Sequence, residues 1–331
     1  MNNILLTGGL GYIGSYFIKN YHNSYKINVV DTDYYKYISK NKFEPFILTV
    51  KDIRKISKED LNDIQFIVHM GELSNDPLGD LDINLTEDIN HVATKNLLSL
   101  ADKTTVKKFI YMSSASVYGF SDSVMNEGSS LNPLTAYSKA KVKNENFIKS
   151  NNFSFETIIL RNSTAFGYSD NLRLDLVVND LTYGGITNKE INLLSDGTPR
   201  RPIVHIHDIC SIIDLILKDK RNLDKEIFNI GSDDMNFSIK EIAERVGESL
   251  NLTKITFGDQ DSDQRSYSLD FEKLNTYFPN YKIKYNLKDG IVDLIENLKT
   301  YELKGSERRV ELLRKLIETN AIDKQLYWIN S

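Results

Sequence analysis

The sequence predicts an α/β protein: a doubly wound parallel sheet followed by a smaller, mixed α/β C-terminal domain. Three observations carry that expectation. Short apolar runs alternate with longer amphipathic stretches over the first 160 residues, the pattern of βαβ units. A glycine-rich turn joins the first apolar run to the first amphipathic stretch. From about residue 165 the alternation gives way to closely spaced Gly, Asn, Pro and Arg, as in Asp196-Gly-Thr-Pro-Arg-Arg-Pro.

The predicted strands are Ile4–Thr7, Ile27–Asp31, Phe46–Val50, Gln65–His69, Lys108–Ser113 and Phe155–Leu160. Five of the six are nearly all apolar, which suits strands covered on both faces. Between them lie predicted helices at Gly11–Tyr21, Leu85–Asp102 and Ala136–Lys149. Residues 1–165 thus form the first domain, with a return segment near 203–230, and residues 166–331 form the second. In the second half, helices are expected at His207–Lys218 and Ile239–Leu250. Val310, Leu313, Leu316 and Ile317 recur at helical spacing within Ser306–Trp328, which predicts a docked helix and not a free tail.

Composition narrows the setting. A chain of 331 residues is long enough for two domains, and 40% hydrophobic with 26% charged residues is ordinary for a globular protein. Lys+Arg 41 against Asp+Glu 46 leaves a net charge of −5, which argues against a nucleic-acid polymer as partner. The single cysteine, Cys210, cannot form an internal disulfide, and a reducing compartment follows. No apolar run approaches the roughly 18 residues that cross a bilayer, and the first residues lack the pattern of a secretory signal. The expectation is a soluble, cytoplasmic protein without a membrane partner.

Thr7-Gly8-Gly9-Leu10-Gly11-Tyr12-Ile13-Gly14 lies between a buried strand and a helix. Gly8, Gly11 and Gly14 suit a tight turn, a close backbone approach to a diphosphate and close packing of helix on strand. The helix N-terminus then offers free N–H groups to phosphate oxygens. The second strand ends at Asp31, 17 residues after Gly14. A carboxylate there accepts from both ribose hydroxyls and repels a 2′-phosphate, so the expected cofactor is NAD, in a Rossmann-type domain. Asp52-Ile53, after the third strand, is a candidate adenine clamp.

Tyr137 and Lys141 stand four apart on one helix face, 23 residues after Ser114 in Ser113-Ser-Ala-Ser-Val-Tyr-Gly119. A phenol near pKa 10 is a poor base at neutral pH. A cation about 4 Å away, at an effective dielectric near 20, contributes roughly 4 kcal/mol, or about three pKa units. Lys141 and a positive nicotinamide ring can therefore bring Tyr137 toward neutrality as a base for a sugar hydroxyl, with Ser114 bonded to the same oxygen.

Together these residues resemble the extended short-chain dehydrogenase/reductase family, in its group of NAD-dependent nucleotide-sugar epimerases and dehydratases. The motifs are TGGLGYIGS (7–15), VVDTD (29–33), the region around His69, SSASVYG (113–119), YSKAK (137–141), LRNSTAFG (160–167), DGTPRRPIVHIHD (196–208) and DQRSYSLDFEKL (263–274). The resemblance implies Ser114, Tyr137 and Lys141 as the catalytic group. It implies Gly8, Gly11, Tyr12, Ile13, Gly14, Asp31, Asp52, Ile53, Met70, Gly71, Asn90 and Ser113 as cofactor contacts, joined by Tyr137 and Lys141. For a nucleotide-diphosphate sugar it implies Ser74, Ser114, Thr164, Asn179, Arg201 and Arg265. A homodimer built on the Leu85 and Ala136 helices is also implied, and no metal is.

Several residues depart from the pattern. Dehydratases of the family carry Thr-Asp-Glu where this chain has Ser114-Ala115-Ser116, and Ala115 can be neither acid nor base, which argues against a 4,6-dehydratase. Thr164 stands where many 4-epimerases have Asn. Glu72 replaces a small residue beside Ser74-Asn75-Asp76-Pro77; it can touch the sugar, act as a base or cap the next helix. His205 and His207 are placed on one face of a strand, where structural roles outweigh metal binding. The resemblance leaves open a C4 epimerase, a 4-dehydrogenase or a 4-keto-sugar reductase, and a non-catalytic NAD sensor is the reading from another class. The sugar and its nucleotide carrier are open too.

Overall fold

Runs rich in Ile, Leu and Val build a seven-stranded sheet whose pairings are all parallel. The computed structural model describes residues 1–35, 45–75, 77, 82–260 and 265–329. Asp76 and residues 263–264, from two of the motifs above, lie outside them. Strands β1 (Asn2–Thr7), β2 (Tyr25–Asp31), β3 (Phe46–Val50), β4 (Phe66–His69) and β5 (Lys108–Ser114) precede a short β6 (Phe120–Met125). β7 (Glu156–Asn162), β8 (Thr164–Phe166), β9 (Ile191–Ser195), β10 (Arg200–His205) and β11 (Glu226–Ile230) follow. The sheet order is β11-β7-β5-β4-β1-β2-β3, so the winding direction reverses between β1 and β4. Ligands of such sheets bind at that switch point, beyond the C-terminal strand ends.

Alternation along β1 feeds both faces. Ile4 and Leu6 pack with Phe17 and Ile18 of α1 (Tyr12–Tyr21) and with the isoleucines of the helix Ile206–Lys218. Leu5 packs on the opposite side with Leu97, Leu98 and Ile148. The predicted Leu85–Asp102 helix is not uniform: Ile83–Thr86 and Ala93–Ala101 are α-helical and Glu87–Val92 between them is a π-helical turn, the three together forming α2. The turn's Asn90 carbonyl accepts from Thr94 Oγ1 (2.8 Å) and Asn144 Nδ2 (2.6 Å), side-chain donors that satisfy an irregular stretch. α3 (Ala136–Ser150) starts in a capping box: Thr135 accepts from the Ser138 N–H, and Ser138 in turn from the Thr135 N–H. That cap fixes Tyr137 in the first turn.

The second half adds α4 (Val177–Asn188), α5 (Ile206–Lys218), β12 (Asn236–Ser238), α6 (Ile239–Leu250), β13 (Ile255–Gln260) and β14 (Ser266–Leu269). α7 (Glu272–Tyr277), α8 (Leu287–Leu298) and α9 (Arg309–Glu318) close the chain. β8, β10 and β12 make one small sheet, and β9–β13 and β6–β14 two more. β11 joins the large sheet beside β7, whereas α9 takes only part of the expected Ser306–Trp328 helix. Leu313, Ile322 and Leu326 of this last segment are buried with Ile53, Leu85 and Tyr34. The two histidines do not share a strand face. His205 ends β10 and caps α5 by accepting from the His207 N–H (3.2 Å), so the chain turns from strand to helix between them.

Candidate active site

A cleft of about 830 Å³ runs along the C-terminal strand ends, from the glycine turn after β1 to β9 and Arg265. Gly8 begins the turn at φ +67°, and a Cβ there would meet the Met70 carbonyl oxygen at 2.7 Å. A Cβ on Gly14 would meet the Gly9 carbonyl oxygen at 2.4 Å, so only glycine lets α1 pack this closely on the turn. Gly11 caps α1 without a side-chain hydrogen bond, which leaves first-turn N–H groups for a ligand. Asp31 sits at the end of β2, where its carboxylate accepts from the N–H groups of Leu10 (3.0 Å) and Asp33 (2.9 Å). Burial outweighs those two bonds and raises its pKa to about 6. A side-chain-free cradle, uncapped helix donors and a buried carboxylate fit the diphosphate and ribose of a dinucleotide.

Asp52 and Ile53 line the same end, with Asp52 in a two-point ion pair with Arg54 (2.9 and 2.7 Å). Tyr12, Ile13, Met70 and Gly71 line it as well, and the Tyr12 hydroxyl donates to the Gly167 carbonyl (2.7 Å). Asn90 and Asn179 do not line the cleft. Both side chains are consumed inside the protein: Asn90 accepts from the Leu73 N–H (2.8 Å) and donates to its carbonyl (3.0 Å). Asn179 accepts from the Gly167 N–H (2.9 Å) and donates to the Arg173 carbonyl (3.0 Å). They shape the loops that carry cleft residues.

Ser113, Ser114, Tyr137 and Lys141 meet at the middle of the cleft. Ser113 Oγ donates to Glu145 (2.6 Å), and Ser114 Oγ accepts from the Ser116 N–H (3.2 Å). The Lys141 ammonium lies 5.4 Å from the Tyr137 ring centre and donates to the Met112 carbonyl at 2.5 Å. It also forms an ion pair with Glu72 Oε2 at 2.6 Å, off the hydrogen-bonding direction. Burial opposes its charge, but Glu72 and then Tyr137 outweigh burial, and its pKa lies above the ordinary value. The other Glu72 oxygen faces Thr94 (3.3 Å), Asn144 (3.4 Å) and His69 Nε2 (3.6 Å). Burial, aided by Lys141, lowers the His69 pKa to about 3, so this ring is neutral. Glu72 therefore takes a role the sequence reading did not include: it is the counter-ion of Lys141.

Ser74, Thr164, Arg201 and Arg265 line the cleft as well. Ser74 accepts from Arg173 (3.2 Å), and Arg201 donates to the backbone carbonyls of Arg200 (2.8 Å) and Arg265. Ser116 Oγ, Asn162 Oδ1 and Ser163 Oγ are buried on this wall without a hydrogen-bond partner among the described residues. Tyr35, Arg173, Asp175 and Arg309 also line the cleft and were not expected. Arg173 and Asp175 pair at 2.8 and 2.9 Å, two residues apart, a local signal that sequence could have offered.

A family model described as the NAD dependent epimerase/dehydratase family matches residues 4–231. A putative UDP-glucose 4-epimerase of Methanocaldococcus jannaschii is 26% identical over 314 residues, spanning 89% of this chain and 98% of its own. The dTDP-D-glucose 4,6-dehydratase of Homo sapiens is 24% identical over 326 residues, spanning 88% and 89%. The solved structure of UDP-glucuronic acid 4-epimerase from Bacillus cereus, in complex with UDP-glucuronic acid and NAD, superposes with a TM-score of 0.78. That likeness, at 23% identity over 90% of this chain and 99% of the other, is one of fold. With the parallel sheet, glycine turn and Ser–Tyr–Lys cluster in one cleft, the chain belongs to the NAD dependent epimerase/dehydratase family.

Proposed function

We propose that the protein oxidises the C4 hydroxyl of a nucleotide-diphosphate sugar and reduces the resulting ketone from the other face, as a 4-epimerase. The observation that carries this reading is the placement of Tyr137, Lys141 and Ser114 in one cleft with the glycine turn and Asp31. NAD held by Gly8, Gly11, Gly14 and Asp31 supplies the acceptor for the hydrogen leaving the sugar carbon. Tyr137 takes the hydroxyl proton onto its phenolate oxygen, Ser114 orients that hydroxyl, and the Lys141 ammonium favours the phenolate. Glu72 offsets part of the Lys141 field. Arg201 and Arg265 are assigned to the diphosphate, for which guanidinium groups are suited.

The unpartnered Ser116, Asn162 and Ser163 oxygens suit a ligand that presents several hydroxyls, as a sugar does. Ala115 is buried and offers no acid or base, which stands against dehydration. Residues 1–165 with β11 are assigned to the cofactor and most of the remainder to the sugar nucleotide. A soluble cytoplasmic homodimer built on α2 and α3 completes the reading, and exposed Ile83 and Val92 on α2 support it.

The test incubates the protein with a panel of nucleotide-diphosphate sugars and follows the product's proton NMR couplings and mass together with NADH. Isomerisation without a mass change is expected. Loss of two hydrogens with NADH release would make it a 4-dehydrogenase instead, and loss of water would refute the Ala115 argument. Tyr137→Phe should lower turnover by about 10²–10⁴-fold, the usual share of a general base, and leave NAD binding near wild type. Undiminished turnover in that variant would remove Tyr137 from the chemistry.

A further inference from the structure

Arg309 opens α9, outside the residues that the family model matches, yet it is 1% exposed and lines the dinucleotide end of the cleft. Its hydrogen-bond partners are all neutral: the Asn171 carbonyl (2.9 Å), Asn171 Oδ1 (2.8 Å) and the Ser306 carbonyl. Asn171 in turn donates to the Leu10 carbonyl at 2.6 Å, which ties the guanidinium to the glycine turn. The guanidinium lies over the Tyr35 ring, 3.9 Å from its centre. Arg173 stands close enough to disfavour its charge, in addition to burial, and Arg173 already holds Asp175. Asp175 and Glu307 act on Arg309 only through space, and each is already engaged: Asp175 by Arg173, Glu307 by the Tyr301 hydroxyl and the Lys304 N–H (both 2.6 Å). A buried cation of this kind calls for an anion.

The segment carrying Arg309 is fastened over the adenosine end of the cleft. Trp328 Nε1 donates to the Thr32 carbonyl (2.7 Å), Tyr34 to the Leu326 carbonyl, and Arg54 to the Gln325 carbonyl (2.7 Å). Arg54 also stacks on Tyr327 at 4.0 Å. Thr32, Tyr34, Tyr35, Asp52 and Ile53 are cleft wall, so these contacts join the chain's last residues to the surface that would face the adenosine.

We propose that the C-terminal segment is a clasp on the dinucleotide, and that Arg309 binds the dinucleotide's diphosphate. This rests on the reading of the glycine turn as the diphosphate's seat. Both partners are on hand before binding: Asn171 and Ser306 hold the guanidinium through its outer nitrogens, and stacking on Tyr35 fixes its plane. The ligand's negative charge supplies a directly bonded anion, where the hydrogen-bond partners within the protein are neutral.

The test measures binding of NAD, ADP, UDP and adenosine by calorimetry, with fluorescence of Trp328, the single tryptophan, as a second readout. In Arg309→Gln, affinity for NAD and ADP should fall about tenfold or more, as for a lost charge-assisted hydrogen bond, with adenosine and UDP within twofold of wild type. Unchanged NAD and ADP affinity overturns the assignment, as does an equal fall for adenosine, which would mark a packing role. A fall for UDP alone would place Arg309 at the sugar nucleotide and overturn it too. Should that variant not fold, Arg309→Lys is read in its place: a several-fold fall for NAD with adenosine unchanged supports the clasp, and no fall overturns it. Wild-type protein that binds no NAD refutes the glycine-turn reading itself, so the two failures are distinct.

Discussion

Two buried carboxylates flank the strand end that carries Ser113 and Ser114, and they are satisfied in opposite ways. Glu145 meets Arg161 through a two-point pair, Nε to Oε1 at 3.0 Å and an outer nitrogen to Oε2 at 2.6 Å. Ser113 donates to it as well (2.6 Å), and the other Arg161 nitrogen donates to the Tyr118 hydroxyl (2.8 Å), which donates to Asn229 (2.7 Å). Glu72 has one short contact, the Lys141 ammonium at 2.6 Å, and otherwise neighbours at 3.3 Å and beyond. The first network is closed and holds the C-terminal ends of β5 and β7 in place. The second is looser and borders the cleft. Burial and opposite charge are common to both pairs; the number of directed bonds separates a strut from an adjustable part.

Glu145→Ala is the most damaging way to test that difference. It leaves Arg161 charged, 1% exposed and without its carboxylate, so unfolding free energy should fall by about 3–5 kcal/mol. Denaturant unfolding reads it directly. A loss below about 1 kcal/mol would show that the closed network is not a strut.

Glu72→Gln should cost less, about 1–2 kcal/mol, because the amide oxygen still accepts and the Met112 carbonyl remains beside the ammonium. Its effect on chemistry is the sharper readout. Removing a negative charge beside Lys141 leaves more positive field at Tyr137, so the acid limb of the pH–rate profile should move down by about one unit. The groups facing this carboxylate are His69, Lys141 and Tyr111, and burial together with Glu72 holds the Tyr111 phenol protonated. The stability difference has its own pH window. Lys141 titrates above its ordinary 10.5 in the fold, so the pair's contribution is complete below pH 10.5 and fades as pH rises through the raised value. A pH profile identical to wild type would mean that Glu72 does not act on Tyr137.

Much of this architecture was legible in the chain, and the exceptions have physical causes. Glycine turns and apolar strands are local patterns, so Gly8–Gly14, Asp31 and the Tyr137–Lys141 pair fall where spacing put them. Asn90 and Asn179 lie at expected sequence positions, but an amide can bind loop backbone as readily as a ligand, and here it does. The π-helical turn in α2 has no periodic signature of its own. His207 was misplaced because a strand that ends in a helix cap looks like a longer strand: His205 ends β10 and His207 already lies in α5. Glu72 was visible as an oddity, whereas its partner lies 69 positions away on another helix. Arg309 meets Asn171 across 138 positions, and only tertiary packing of α9 brings it to the cleft.

Asp31 extends the comparison to a carboxylate with backbone donors but no cation, and it gives the mildest of the expected effects. Its pKa near 6 lies above the ordinary 3.8, so the fold holds the proton more tightly than the unfolded chain does. The protonated form dominates only below pH 6, and stability tied to this group is lost as pH rises through 6. Ribose hydroxyls donating to the carboxylate would favour the ionised form. NAD affinity should then climb as pH rises through 6 and level off above about 7, so that binding at pH 5 is roughly tenfold weaker than at pH 7. Calorimetric titration at pH 5, 6 and 7 reads the slope, and Asp31→Asn removes the titrating group. The difference between the two proteins isolates Asp31 from other ionisations. Equal slopes in both would mean that the carboxylate does not meet the ribose, whereas a flat profile for the variant alone would place it there.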